Sequence, residues 1–181
     1  MKKLLILLFS LLISFNSNAT ELDSLFGISL YGNAEKYVSS KHINTNKTKN
    51  RETIDGYFDL NITDNIKEKN PYFLDYWIII DSNNIVHKII GFNELTNLDI
   101  CQAVKESLSS ALEKKYQIEF LNWEDSYPLF KIYTNYHFTN QKDYLAIQCN
   151  KVYENTTAIL QMYLNSSLFG DELENFYDSG L

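Results

Sequence analysis

Few side chains in this sequence stand at spacings that support chemistry. The three histidines, His42, His87 and His137, are far apart, and none belongs to a His-x-x-x-His pair of the kind that binds zinc. The Gly-x-Ser-x-Gly motif of serine hydrolases and the glycine-rich loop that binds phosphate are both absent from the sequence. We therefore expect no metal site, no cofactor and no serine nucleophile.

Acidic side chains leave one catalytic option open. Glycoside hydrolases use two carboxylates as acid and base, and Glu119 with Glu124 or Asp125 would form such a pair if the fold brings them to one cleft. A solvated acidic rim explains the same residues without catalysis. The main prediction is therefore that the chain has no catalytic residue. A small secreted hydrolase that uses carboxylates not recognisable from the sequence is the alternative.

Cys101 and Cys149 are the only cysteines after the N-terminal segment, and their surroundings predict a disulfide bond. Cys101 begins a stretch with apolar residues at three- and four-residue steps, which is typical of a helix with one apolar face. Leu145, Ile147 and Cys149 alternate as on one face of a strand. Both thiols are thus expected on the buried side of their elements, where a helix packed on a sheet brings them within bonding range. Two buried, reduced thiols are the alternative.

Tyrosine and tryptophan side chains point to a different function, which is protein binding. An antiparallel sheet with helices on one face turns alternate residues outward, and outward aromatic side chains give contact area at low entropy cost. The alternative is that these rings only fill the core and the sheet edge. The candidate binding surface consists of Tyr76, Trp77, Trp123, Tyr133 and Tyr136.

The elements that must position these residues follow the order helix, strands, helix, strands. The first helix begins after a cap at Asn33 and runs to about residue 40, and the second begins at Cys101 after a cap at Thr96 or Asn97. Alternating and β-branched runs predict the strands. These runs span residues 57–62, 73–80, 85–90, 118–123, 130–138, 144–153 and 157–164.

Short connections between these strands predict hairpins. Residues 81–84 are aspartate, serine and two asparagines, which favour a turn, and similarly short loops join the last three strands into a meander. The fold class is therefore α+β, an antiparallel sheet of hairpins with one or two helices packed on one face. The two halves share the layout of a helix followed by strands, without a residue-level repeat. Residues 41–55 are expected to form an exposed loop, and residues 166–181 a final helical turn or a loose tail.

The first 19 residues have the pattern of a signal peptide. Lys2 and Lys3 precede an apolar run, and Ser17 and Ala19 supply the small residues that a signal peptidase needs. Cleavage after Ala19 leaves residues 20–181 as a single domain in the periplasm or the medium, where disulfides persist. No later run approaches the roughly 20 apolar residues of a membrane span.

The net charge of the chain indicates which kinds of binding partner are compatible with it. The chain has 16 basic and 23 acidic residues, a net charge of −7, and loss of Lys2 and Lys3 leaves 14 basic residues and a charge of −9. Nucleic-acid binding by phosphate neutralisation needs a basic surface, so that class is excluded. A basic protein partner fits, because opposite charge speeds encounter. The oligomeric state stays open.

The opening of the predicted mature chain carries a resemblance. Leu25-Phe-Gly-Ile-x-Leu-x-Gly32 before a capped helix resembles the opening of many small exported Gram-negative proteins of unknown function, which also tend to carry one cysteine on a helix and one on a later strand. The order of elements is similar to the helix-on-sheet unit of β-lactamase inhibitor protein and of small outer-membrane assembly lipoproteins. The cleavage region has no cysteine, which departs from the lipoprotein pattern.

β-Lactamase inhibitor protein and the small outer-membrane assembly lipoproteins act by binding other proteins, so the resemblance implies binding without catalysis. Together with the charge and the aromatic residues, it predicts an exported, non-enzymatic, protein-binding domain. An inhibitor or immunity-type protein against a basic secreted enzyme is the sharper version of this prediction.

Overall fold

The chain folds as α+β, which confirms the predicted class. A computed structural model describes residues 22–50, 54–139, 143–152 and 156–178, with side chains up to residue 172. The predicted signal peptide lies outside the described residues. The described part contains an eight-stranded antiparallel sheet, a small two-stranded sheet and a few helices.

The elements include the predicted order of helix, strands, helix, strands, with two short strands before it and a helix after it. Strands β1 (Ser24–Leu25) and β2 (Ile28–Ser29) come first, followed by a 3₁₀ turn (Ala34–Lys36) and helix α1 (Ser40–Asn46). The first half of the large sheet contains β3 (Thr48–Lys49), β4 (Tyr57–Asn61), β5 (Asp75–Asp81) and β6 (Val86–Leu95). Helix α2 (Leu98–Tyr116) precedes β7 (Leu121–Ser126), β8 (Phe130–Phe138), β9 (Tyr144–Val152) and β10 (Ala158–Asn165), and helix α3 (Ser167–Asp178) comes last.

The large sheet consists of two four-stranded meanders. Its strand order is β3-β4-β5-β6-β10-β9-β8-β7, so each meander follows a helix and the last strands of the two meanders meet in the middle. The junction is antiparallel and runs from Ala158 opposite Leu95 to Asn165 opposite Lys88. The predicted meander of the last three strands and the predicted β5–β6 hairpin are both confirmed.

Two tight turns show how local sequence sets the geometry. In the β5–β6 turn, Asn84 has a φ of 63° and Asp81 accepts hydrogen bonds from the backbone of the turn, as turn-forming residues do. In the Leu25-Phe-Gly-Ile segment, Phe26 and Gly27 have φ of 56° and 76°, which suits the two-residue hairpin between β1 and β2. The Phe26 ring then lies on Gly91, where an added Cβ would be only 2.8 Å away.

Helix α2 packs on one face of the sheet, which we call the covered face. The Asn97 side chain caps the helix by accepting from the Ile100 N–H at 2.9 Å. The predicted disulfide is confirmed, because Cys101 on α2 is bonded to Cys149 on β9. Beneath the helix lies a core of fully buried side chains, which includes Leu145, Ile147, Leu160 and Leu164.

One predicted loop contains a helix, and one predicted helix is shorter than expected. The expected loop at residues 41–55 contains α1 and β3, because Ser39 caps the helix and Ile43 gives it one fully buried contact; residues 51–53 lie outside the described part. The predicted helix after Asn33 is only a short 3₁₀ turn. Of the two expectations for residues 166–181, a final helical turn or a loose tail, the helical one agrees with α3, whose Phe169 is fully buried.

Candidate functional site

The face of the sheet opposite α2 is the candidate site, and we call it the open face. Side chains alternate between the two faces along a strand, so Gln148 points away from α2 when its neighbour Cys149 is bonded to it. The strand registers then place Trp77, Ile90 and Tyr163 side by side on the open face. Among the described residues, the start of helix α3 packs against one end of the open face, where Phe169 contacts Ile79.

The open face holds a cleft of about 560 Å³. This volume falls in the range of roughly 300–1,000 Å³ that is usual for ligand sites. The lining comes from six neighbouring strands, β4, β5, β6, β10, β9 and β8, so the cleft runs across the middle of the sheet. Its apolar part includes Trp77, Ile79, Ile90, Phe92, Ile132 and Ile159.

The apolar lining remains partly in contact with water. Trp77, Ile90 and Phe92 are half-buried, and Ile159 at the rim is 37% exposed. Removal of apolar surface from water favours association. A partner that covers these side chains would therefore be stabilised by apolar contact.

One end of the cleft carries two buried charged side chains. Asn50 Nδ2 donates to Asp59 Oδ1 at 2.7 Å, and both residues are buried. Lys88 Nζ lies 4.9 Å from the centre of the Tyr163 ring and 5.5 Å from that of Phe169, so two aromatic faces compensate part of its lost hydration. This end can orient a polar group on a bound partner.

Amide side chains lie across the middle of the cleft. Gln148 on β9 is directly opposite Gln161 on β10, and Asn150 Nδ2 donates to Gln161 Oε1 at 3.4 Å. Primary amides both donate and accept hydrogen bonds, as a protein backbone does. The cleft thus combines apolar contact area with groups that suit a peptide.

The start of α3 is fixed at the charged end of the cleft. Asp143 Oδ1 accepts from the Ser167 N–H at 2.8 Å and from the Tyr31 hydroxyl at 2.6 Å. Burial raises the pKa of Tyr31, and the hydrogen bond to the Asp143 carboxylate raises it further. The Ser166 hydroxyl accepts from the Phe169 N–H at 3.2 Å, which caps the helix. These contacts hold Phe169 against Tyr57 and Ile79.

A serine, a histidine and an aspartate meet beside this end. Ser166 Oγ is 3.2 Å from His87 Nδ1, and His87 Nε2 is 3.6 Å from Asp81 Oδ2. The order resembles that of a hydrolase triad. However, Ser166 is fully buried, its hydroxyl caps α3, and none of the three residues lines the cleft. The arrangement fixes the helix and gives no substrate access to the hydroxyl.

The structure distributes the five predicted binding residues over both faces. Trp77 lines the cleft, and Trp123 and Tyr136 lie on the open face near the β7 edge. Tyr76 is 1% exposed on the covered face, with its hydroxyl bonded to the Asn70 carbonyl. Tyr133 also lies on the covered face and packs against the core. We therefore leave Tyr76 and Tyr133 out of the proposed surface.

The carboxylates considered for catalysis lie outside the cleft. Glu119 precedes β7 and Asp125 lies on it, while Glu124 forms an exposed ion pair with Lys131 at 3.0 Å. Asp59 is the only carboxylate among the described residues that line the cleft. The candidate acid–base pair is therefore not assembled there.

The histidines are also separate from one another. His42 Nε2 is 2.8 Å from the Asn61 carbonyl oxygen, and His137 Nδ1 is 2.9 Å from that of Glu119. In the part of the chain that the structure describes, no group of three or more histidine, cysteine or acidic residues is placed to hold a metal ion.

Several residues that line the cleft are not in the binding surface predicted from the sequence. Alternation in the last strand already indicates that Gln161 and Tyr163 face away from Leu160 and Leu164. Phe92 was missed because the third strand was expected to end at residue 90, whereas β6 continues to Leu95.

Comparison with known proteins adds no assignment. No protein-family model matches the sequence, and neither the curated proteins nor the solved structures give a significant match. No helix among the described residues has the length and apolar character needed to cross a membrane.

Proposed function

We propose that this chain is an exported, non-enzymatic domain that binds another protein through the cleft on its open face. The observation that carries the proposal is the cleft itself, where half-buried apolar side chains lie beside opposed glutamine amides. A protein partner that inserts apolar side chains and part of its backbone would use both features.

Export is supported by two features. The first 19 residues have the pattern of a signal peptide, and the Cys101–Cys149 disulfide suits an oxidising compartment. The periplasm or the medium is therefore the proposed location.

The resemblance in layout to β-lactamase inhibitor protein suggests the same kind of role. A net charge of −9 for residues 20–181, from 14 basic and 23 acidic side chains, favours a basic partner. An inhibitor or immunity-type protein that acts on a basic secreted enzyme is the sharper form of the proposal.

A pull-down from an envelope extract tests the proposal, with residues 20–181 as bait. Ile159→Lys places a charge at the rim of the cleft, and Leu74→Lys is the matched control, because Leu74 is 67% exposed and does not line the cleft. We expect the wild type and the control to capture the same stoichiometric protein and Ile159→Lys to lose it.

The pull-down is repeated at high salt to separate charge attraction from apolar contact. Capture that weakens with salt supports charge-steered recognition, whereas capture that ignores salt contradicts the basic-partner form. Equal capture by Ile159→Lys would show that the cleft is not the binding site. A small molecule that stays in the cleft of the purified protein, detected by native mass spectrometry, would contradict protein binding there.

A further inference from the structure

The outer edge of β7 is a second binding feature, separate from the cleft. β7 is the last strand in the sheet order, and all six of its residues pair with β8 on one side. In the described part of the chain, no strand pairs with its other side. Five of the six residues are exposed.

The hairpin geometry shows which backbone groups point outward. The Tyr127 N–H donates to the Phe130 carbonyl at 2.9 Å, so these two residues form a hydrogen-bonded pair at the turn. Bonded and non-bonded pairs alternate along an antiparallel ladder. The N–H and C=O groups that face β8 are therefore those of Leu121, Trp123 and Asp125. Those that face outward belong to Asn122, Glu124 and Ser126.

The residues of β7 guard this edge by negative charge alone. Proteins guard exposed edges with very short strands, charged side chains (lysine above all), proline or bulges. The opposite edge of the sheet follows this rule, because β3 has two residues, Thr48 and Lys49, and Lys47 precedes it. β7 has six residues, contains neither lysine nor proline, and keeps a regular register with β8. Its two charges, Glu124 and Asp125, are both acidic. The edge is therefore receptive to an added strand that carries no acidic residues there.

The side chains of β7 define what an added strand would carry. Leu121 and Trp123 lie on the open face and are each 56% exposed, so apolar neighbours on that face would be stabilised. Glu124 lies on the other face, forms its ion pair with Lys131 on the β8 side, and favours a basic residue opposite it on the added strand. Asp125 lies on the open face at the far end of β7 from Leu121, with the uncharged Ile132 opposite it on β8.

A second copy of the chain fits this edge poorly. Antiparallel self-pairing of β7 would bring Glu124 and Asp125 of both copies to one ladder, where like charges destabilise pairing. Two copies of residues 20–181 would also each carry a charge of −9, from 14 basic and 23 acidic residues.

We infer that β7 binds, by strand addition, an extended segment of the partner protein in which basic residues alternate with apolar ones. The inference deepens the proposed protein-binding function and rests on it for the nature of the partner. Main-chain hydrogen bonds to Asn122, Glu124 and Ser126 give the affinity, and the acidic and apolar side chains of β7 give the specificity.

A short peptide of alternating lysine and valine is the probe, and a peptide of alternating glutamate and valine is its control. Amide hydrogen exchange of residues 20–181 is measured with and without each peptide. We expect the lysine peptide to protect the outward N–H groups of Asn122, Glu124 and Ser126. The inward N–H groups of Trp123 and Asp125 should be protected in both states.

Three variants separate the backbone contribution from the charge. Asn122→Pro removes one outward N–H, which an edge strand tolerates, and Asn122→Ala keeps it. We expect the proline variant to keep the wild-type melting temperature and to weaken peptide binding about tenfold or more, with little effect of alanine. Glu124→Gln, the third variant, should weaken binding by up to about fivefold.

Any of the following results would overturn the inference. Equal binding of both peptides would show that charge does not select the strand. Protection on the cleft instead of β7, or full binding by Asn122→Pro, would exclude strand addition. Concentration-dependent protection of the outward N–H groups without peptide would show that a second copy takes the edge. Ile159→Lys should leave peptide binding intact, so failure at the edge and failure at the cleft are distinguishable.

Discussion

Removal of the Cys101–Cys149 disulfide is the perturbation whose magnitude follows most directly from the structure. The bond closes a loop with a sequence separation of 48 residues. The chain-entropy relation for a loop of that size gives about 4 kcal/mol of stabilisation through the unfolded state. A domain of this size has a total unfolding free energy of about 5–15 kcal/mol, so the bond contributes a large share.

Urea unfolding of residues 20–181 measures this contribution in two ways. Reduction of the wild type breaks the bond but keeps both sulfur atoms, and we expect a loss of about 4 kcal/mol in the free energy of unfolding. Cys101→Ala with Cys149→Ala also leaves a small cavity, because both cysteines are fully buried. We expect that variant to lose about 1 kcal/mol more than the reduced wild type.

Comparison of the reduced wild type with the double alanine variant shows how the disulfide stabilises the fold. A reduced protein that loses less than about 1 kcal/mol would refute the loop-entropy argument. A large loss in the alanine variant with almost none on reduction would assign the stabilisation to packing under α2. Alkylation of free thiols in the unreduced protein would contradict the bond itself.

Two further predictions concern the core and the alkaline limit of stability. Ile147→Ala removes a fully buried side chain and should cost about 2–5 kcal/mol in urea unfolding, whereas Leu74→Ala, at a 67% exposed position, should cost under about 0.5 kcal/mol. A smaller difference would contradict the assigned core. Burial raises the pKa of Tyr76, so its contribution is present below pH 10 and is lost as pH rises through the folded-state pKa. The stability difference between wild type and Tyr76→Phe should therefore shrink between pH 8 and pH 11, and a constant difference would contradict this.

Local patterns were sufficient to predict the fold class and the disulfide. The helical spacing after Cys101 placed this cysteine on the buried side of its helix, and the alternation that ends at Cys149 placed that cysteine on the buried side of its strand. Packing of the helix on the sheet then brings the two cysteines together, as the disulfide shows. The β5–β6 turn was equally readable, because its residues have conformational preferences that do not depend on distant contacts.

The open face was only partly predictable. Residues 76–80 are apolar on both faces of β5, so alternation could not show that Tyr76 turns to the core and Trp77 to the cleft. Helix α1 was missed because it is polar except for Ile43. The pairing of β6 with β10 depends on distant contacts, and that pairing is what places Ile90 beside Tyr163.

The central place of β10 has a consequence for how the large sheet is assembled. The pairing among β3 to β6 uses no strand from later in the chain. β7, β8 and β9 have no strand pairing with that meander until β10 lies between β6 and β9. Without β10, α2 and its disulfide to β9 link two separate sheets, each with an edge exposed at the missing strand. β10 therefore determines whether the two meanders form one continuous sheet.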